Sequence, residues 1–383
     1  MPSADPLAPD FSKLLKLARE ETTPVLLIDL AIIEAKLTAL RAALPGVQVF
    51  YAVKANSLAP VIARLAALGC SFDIASPGEL SLCQSIAGPD VRLSYGNPIK
   101  KEADIADAYA RGVRLYSVDS EMELDKIARA APGSEVFCRL GVSGAGAEWP
   151  LTHKFGCTTA QAVGLRVRAG QLGLKPAGVS FHVGSQQDRP EAWRLAIHRA
   201  GEVFHPLARQ GVALRFVNLG GGLPGHYAHE TPPLADYAQT IEAALKETFG
   251  ERQPELLIEP GRYMVADAGV LVSEVVLVAE RPHERLPTWV YLDVGVYGGL
   301  DETAGEKIRY RLDFDARGRP LAPVVLAGPT CDSADVLYRH GVQLPVGLRP
   351  GERISFLSAG AYTADCSMVS FNGFAPLKAR CVD

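Results

Sequence analysis

The chain has 383 residues, 48% hydrophobic and 21% charged, with 36 glycines and 27 prolines; this excludes disordered and fibrous classes and predicts two domains, or one large barrel with an appended piece. The formal net charge of -4 argues against nucleic acid as a partner, because such binding normally shows as a basic patch. Seven scattered cysteines without any C-x-x-C spacing point to reduced thiols, no metal centre and a cytoplasmic protein.

The N-terminal "MPSADPLAPDFSKLLKLAREE" is too polar for a signal peptide, and no apolar run approaches the roughly 20 residues of a membrane span. From Pro24 to Ala268 short apolar runs alternate with amphipathic helical ones. "PVLLIDL" leads into "AIIEAKLTALRAAL", "VQVFYAVKAN" into "APVIARLAALG", and "SFDIASP" into "GELSLCQSIAG". The series continues through "VRLSYGNPIK", "RLYSVDS", "EVFCRLGV", "PAGVSFHVGSQ", "LRFVNLGGG" and "ELLIEPGRYMVA". Such alternation predicts parallel strands with crossover helices, and about eight units predict a (β/α)8 TIM-like barrel over 24–268, with an open doubly wound sheet as the alternative. After Ala268, "GVLVSEVVLVAER", "TWVYLDVGVYG", "LAPVVLAGPTC" and "ERISFLSAGAY" read as strands without helices between them. They predict a second, mostly antiparallel β domain formed by 1–23 plus 269–383.

Catalytic groups of such a barrel sit where strands end and loops begin. The polar residues ending these runs include Lys54, Asp73, Asn97, Arg139, His182, the glycines 220–222, and Glu259 to Arg262. Singly, each has an ordinary reading: a solvated lysine, a hydrogen-bonded core histidine, a tight turn, a surface ion pair. Together they fit one cofactor. A lysine at a low-dielectric barrel mouth has its pKa lowered and forms a Schiff base with an aldehyde. The triglycine and Gly261 present bare N-H groups to a phosphate, Glu259 suits a pyridine nitrogen, and the His182 ring suits stacking. This combination points to pyridoxal 5'-phosphate.

The chain resembles the fold type III pyridoxal-phosphate amino-acid decarboxylases, in particular the ornithine decarboxylase and bacterial ornithine/lysine decarboxylase group. The resemblance rests on "FYAVKAN" at 50–56, "FDIASPGE" at 72–79, "YGNPIK" at 95–100, "HKFG" at 153–156, "FHVGSQ" at 181–186, "NLGGGLP" at 218–224, "EPGR" at 259–262, "GPTCDSADVL" at 328–337, "GAYT" at 360–363 and "FNGF" at 371–374. It implies an alanine racemase/ornithine decarboxylase-like architecture, with Lys54 bonded to the cofactor aldehyde and Glu259 paired with the pyridine nitrogen. It also implies that His182 stacks on the ring, that Ser185, Gly221, Gly222, Gly261, Arg262 and Tyr362 hold the phosphate, and that Asp73 and Arg139 complete the polar shell. Cys331 and Asp332 would enter from the other subunit of a homodimer with shared sites, Cys331 as proton donor to the α-carbon.

Asp332 in "TCDS" suits a distal ammonium. The resemblance therefore implies decarboxylation of L-ornithine to putrescine in polyamine biosynthesis, with L-lysine to cadaverine as a second activity. Asp293, Tyr297 and Phe371 join Asp332 as candidate substrate contacts. Eukaryotic members place a second aspartate in "DGVYG", whereas this chain has Val294 there and its acid one residue earlier, at Asp293. Adjacent strand residues face opposite sides, so Asp301 and Glu302 are further candidates, each with a solvated reading beside it. A related decarboxylase acting on diaminopimelate, carboxynorspermidine or a specialised amino acid, an inactive binding homologue and a racemase are the alternatives. The inactive homologue is disfavoured because Lys54, Glu259 and Cys331 are all present.

Overall fold

The structure is a computed structural model describing residues 9–151, 153–209, 211–283 and 288–383; the first eight residues of the predicted N-terminal piece lie outside them. It divides into two compact units. One comprises Glu34–Pro224 and Thr231–Met264; the other comprises the chain up to Ile33, Gly225–Glu230 and Val265–Asp383.

The first unit is a closed barrel of eight strands: Gln48–Ala52, Ser71–Ile74, Leu93–Tyr95, Leu115–Val118, Glu135–Arg139, Lys175–Ser180, Phe216–Asn218 and Glu255–Ile258. All neighbours pair in parallel, and Leu257 and Ile258 close the ring against Gln48 and Val49. Helices are set by local signals between strands. Ser76 caps Pro77–Ala87 by accepting from the Glu79 N-H at 3.2 Å, and Thr158 forms a capping box with Gln161 at the start of Thr159–Gln171. Phe50, Leu115, Phe137, Ala177, Phe216 and Leu257 form a buried core cluster. The Phe137 and Phe216 rings meet edge to face at 5.8 Å. Gly178 makes this packing possible, since a Cβ there would come within 2.4 Å of the Phe216 ring.

The second unit is an eight-stranded, mostly antiparallel sheet with the path Arg311–Phe314, Arg353–Leu357, Gly269–Glu280, Thr288–Leu292, Leu321–Ala327 and Val336–Pro345. Val25–Asp29 pairs antiparallel with Gly269–Glu280 and parallel with Lys378–Val382. This corrects the assignment of "PVLLIDL" to the barrel series. All five residues of Val25–Asp29 are buried, so the run looks like a barrel strand, and only its pairing places it in the other sheet. The N-terminal helix Ser12–Ala18 packs there, with Phe11, Leu14 and Ala18 clustered against Val25, Leu27, Val270 and Val272.

Candidate active site

In the barrel unit, the predicted polar residues gather at the C-terminal ends of the strands. Lys54 occupies a single 3-10 turn, Val53–Ala55, directly after the first barrel strand, and its Nζ lies 3.6 Å from Asp73 Oδ2. Asp73 is buried in the next strand, and its Oδ1 has no hydrogen-bond partner. Burial raises the Asp73 pKa well above the usual carboxylate value; the Glu259 carboxylate adds to the rise and the Lys54 ammonium opposes it. Gly96, from "YGNPIK", leaves room for this side chain, as a Cβ there would sit 2.0 Å from Asp73 Oδ1.

Arg139 ends the Glu135–Arg139 strand with its guanidinium 5.4 Å from the centre of the Phe155 ring. His182 follows Lys175–Ser180, and its Nδ1 accepts the Gly184 N-H at 3.1 Å. That bond leaves the proton on Nε2 in the neutral ring. Burial holds the imidazole pKa well below its ordinary value, with Arg139 and Lys54 adding to the effect, so the ring is neutral at physiological pH.

The glycine loop after Phe216–Asn218 requires residues without side chains. Gly220 and Gly222 have φ of +64° and +121°, and added Cβ atoms would meet Phe181 O at 1.9 Å and Gly184 O at 2.5 Å. At Gly221 a Cβ would meet Glu259 O at 2.8 Å and His182 Nε2 at 3.1 Å. Backbone N-H groups gathered in such loops form anion-binding concavities. Arg262, buried at the start of the short helix Arg262–Val265, donates through Nε and Nη2 to Ser185 Oγ at 3.3 and 3.1 Å. Gly261 precedes it. Glu259 follows the last barrel strand, and Asn218 Nδ2 donates to its Oε1 at 2.5 Å. Burial raises the Glu259 pKa, opposed by Lys54, the Asn218 hydrogen bond and Arg139.

The second unit brings Tyr297, Asp332 and Phe371 together, with Cys331 and Asp293 nearby. The Tyr297 hydroxyl donates to Asp332 Oδ2 at 2.8 Å, and Asp332 Oδ1 accepts the Ala334 N-H at 2.9 Å. The Ala334 N-H and the Tyr297 hydroxyl hold the Asp332 pKa below its usual value. The Tyr297 and Phe371 rings lie 4.6 Å apart. Cys331 is exposed; its N-H and Sγ lie 3.2 and 3.5 Å from Asn372 Oδ1. Asp293 accepts the Glu274 N-H at 3.0 Å and lines the same cavity as Tyr297 and Phe371. Its neighbour Val294 is buried. Asp301 is exposed and Glu302 buried. Tyr362 has φ of +54°, an uncommon conformation for a non-glycine residue.

The sequence reading passed over Asp335. Its buried carboxylate accepts from the Val296 N-H, the Thr330 N-H and the Thr330 hydroxyl, binding the "DVGVYG" and "GPTCDS" loops to each other. Gly295 and Gly328 leave space for it, with Cβ positions 2.1 and 2.3 Å from its oxygen Oδ1. Two glycines flanking the two loops were the available signal. Asn218 was also passed over, although it opens the quoted "NLGGGLP".

The barrel residues fit pyridoxal phosphate on two observations independent of any relative: a cradle that three Cβ atoms would fill, and an unpartnered buried carboxylate oxygen beside the lysine. Residues 30–266 match the family model described as "Pyridoxal-dependent decarboxylase, pyridoxal binding domain". The lysine/ornithine decarboxylase of Selenomonas ruminantium is 33% identical over 360 residues, covering 94% of this chain and 89% of that protein. Antizyme inhibitor 2 of Xenopus laevis is 33% identical over 345 residues, covering 87% and 75%. The crystal structure of lysine/ornithine decarboxylase from Vibrio vulnificus complexed with cadaverine superposes with a TM-score of 0.86 at 33% identity, covering 97% of this chain and 98% of that one. The chain belongs to the pyridoxal-dependent decarboxylases, and its cofactor is pyridoxal phosphate. Among the described residues no helix is long and apolar enough to cross a membrane, and no group of three or more His, Cys, Asp or Glu is arranged to hold a metal.

Proposed function

We propose that the protein removes the α-carboxylate of a basic amino acid, L-ornithine or L-lysine, to give putrescine or cadaverine. The observation that carries this reading is Asp332: a half-buried carboxylate, held ionised and oriented by Tyr297 and Ala334, suits a distal ammonium. The relative from Selenomonas ruminantium bears the name of an enzyme for these two substrates.

Bound pyridoxal phosphate supplies an electron-withdrawing ring that takes up the charge left on the α-carbon as CO2 departs. Lys54 is the amine that would hold the cofactor aldehyde. Glu259, oriented by Asn218, would keep the ring nitrogen protonated. His182, a neutral imidazole, would stack on the ring without adding a positive charge that competes for Glu259. Gly221, Gly222 and Gly261 with Ser185, Arg262 and Tyr362 bind the phosphate, while Asp73 and Arg139 fix the charge around Lys54. Cys331 delivers a proton to the α-carbon from the partner subunit of a homodimer.

The test is CO2 release by the purified, cofactor-loaded protein from L-ornithine, L-lysine, L-arginine and meso-diaminopimelate, compared as kcat/KM. Preference for ornithine or lysine supports the reading. Silence on all four with the cofactor bound would mean that Asp332 recognises something else, or that this chain only binds.

A further inference from the structure

Two cysteines that the proposed chemistry does not use stand beside Arg139 in the barrel unit. Cys138 precedes it in Glu135–Arg139, and Cys157 pairs with Leu140 in a parallel bridge just past the end of that strand. Cys138 and Leu140 share one face of the chain, and the Cys157 thiol donates a hydrogen bond to that of Cys138. Both residues are buried. Cys157 is also tied to Arg139 itself: its N-H donates to Arg139 O at 3.0 Å, and its Sγ lies 3.4 Å from the same oxygen.

The buried Arg166 makes one of these thiols acidic. Its guanidinium donates to the carbonyls of Val136 and Gly178, no described carboxylate forms an ion pair with it, and the acid that faces it is Cys138. A buried cation without an anion is costly, so the guanidinium favours the Cys138 thiolate. The Cys157 hydrogen bond and the Arg166 charge bring the Cys138 pKa down to about 7 against its burial, while Cys157, as the hydrogen-bond donor, is pushed up. A small oxidant has a way in: Gly141 and Gly156, on either side of this strand end, line a cavity of about 700 Å³, and Cys157 itself is 5% exposed.

We infer that Cys138 and Cys157 form an oxidisable dithiol that reacts with peroxide and, as a disulfide, weakens the hold on the cofactor through Arg139. The Cys138 thiolate attacks one peroxide oxygen and breaks the O–O bond, which leaves a sulfenic acid and a hydroxide that takes up the proton Cys138 had released. The Cys157 sulfur then attacks the sulfenic sulfur; the S–S bond forms, the S–O bond breaks, and the departing hydroxide leaves as water with the Cys157 proton. Two thiols lose two electrons and the peroxide becomes two waters. The disulfide no longer offers Arg166 an anion, so the reduced pair is favoured and thiols readily reverse the bond. Arg139 is the link to the site: its charge acts on Glu259 and on His182, and the disulfide takes the Cys157 hydrogen from beside its carbonyl. The effect on the cofactor rests on the site reading above; the thiol chemistry does not.

The test treats the cofactor-loaded protein with hydrogen peroxide, blocks the remaining thiols and maps disulfides by mass spectrometry of non-reduced peptides. The expected result is a Cys138–Cys157 cross-link that glutathione reverses, and in Cys157→Ser a Cys138 sulfenic acid captured by dimedone. Apparent affinity for pyridoxal phosphate is measured in Cys331→Ala, so that the exposed Cys331 thiol takes no part. It is expected to weaken by at least about tenfold on oxidation and to return on reduction. Peroxide that consumes Cys331 in the parent while Cys138 and Cys157 stay reduced overturns the inference, and so does a cross-link that leaves the cofactor affinity unchanged. A protein that binds no pyridoxal phosphate fails the site reading, and the disulfide map then decides the dithiol separately: the cross-link supports it and its absence overturns it.

Discussion

The ammonium of Lys54 stands 3.6 Å from Asp73 Oδ2, while Oδ1 of the same carboxylate has no partner and faces the backbone of Gly96. One buried carboxylate therefore sets the charge beside the lysine, and a glycine from another strand end permits its position. Gly96→Ala would put a Cβ 2.0 Å from Asp73 Oδ1, a distance that forces the aspartate aside. The expected result is a loss of at least about tenfold in kcat/KM with the fold retained by circular dichroism. Combining it with Asp73→Asn gives less than the product of the two single losses, because both act on the same contact.

Asn218 acts through Glu259. Its 2.5 Å hydrogen bond is the contact that orients a carboxylate whose pKa burial pushes up. Asn218→Ala removes that donor and favours the protonated acid, which no longer keeps the ring nitrogen charged. We expect kcat to fall by about tenfold, with KM changed much less. The cofactor absorption spectrum of the variant is expected to become more pH-dependent than that of the parent. A fall in KM-controlled binding alone, with an unchanged spectrum, would assign Asn218 to loop architecture.

Most of this barrel site was legible because the chemistry coincides with the punctuation of the chain. Lys54, Asp73, Arg139, His182 and Glu259 each stand where an apolar run meets small or polar residues, and a parallel barrel turns those positions toward one mouth. Val25–Asp29 was misread for the same reason: four buried apolar residues followed by a buried aspartate look alike in any sheet, and periodicity carries no information about partners. Asp335 was hidden because an aspartate in a loop normally faces water. Its role depends on the closeness of Gly295 and Gly328, which lie 33 residues apart in sequence.

Lys100 sets a pH dependence on the barrel unit. Its buried Nζ lies 3.0 Å from Glu123 Oε1 and donates to the carbonyls of Asn97 and Ser117, both at 2.8 Å. Burial pushes its pKa down to about 8 against the favourable charge of Glu123. The folded state therefore releases the proton at lower pH than the unfolded chain. The lysine weakens the fold fully below pH 8, and this penalty vanishes as pH rises through the window from about 8 to 10.5. Relative to Lys100→Met, the parent should gain about 3 kcal/mol of unfolding free energy across that window, as measured by urea denaturation. A parallel pH dependence in both proteins would show that Lys100 does not change its charge there.

Cys331 and its surroundings predict a site completed by a second copy of the chain. The thiol is exposed and held beside Asn372, and the same segment exposes Met368, Val369 and Phe374 to 49, 76 and 46%. Contiguous exposed apolar side chains mark an interaction surface, and closed two-fold dimers are the commonest assembly. With Lys54 acting in one protomer and Cys331 in the site of the other, Lys54→Ala and Cys331→Ala homodimers are each inactive. Exchange of subunits between them creates mixed dimers in which one site lacks both groups and the other lacks neither. Random reassortment makes half the dimers mixed, with one of two sites intact, so CO2 release should recover to about one quarter of the parent rate. Analytical ultracentrifugation of the same mixture establishes that dimers are present and exchanging. Exchange without recovery would place Lys54 and Cys331 in the same protomer's site.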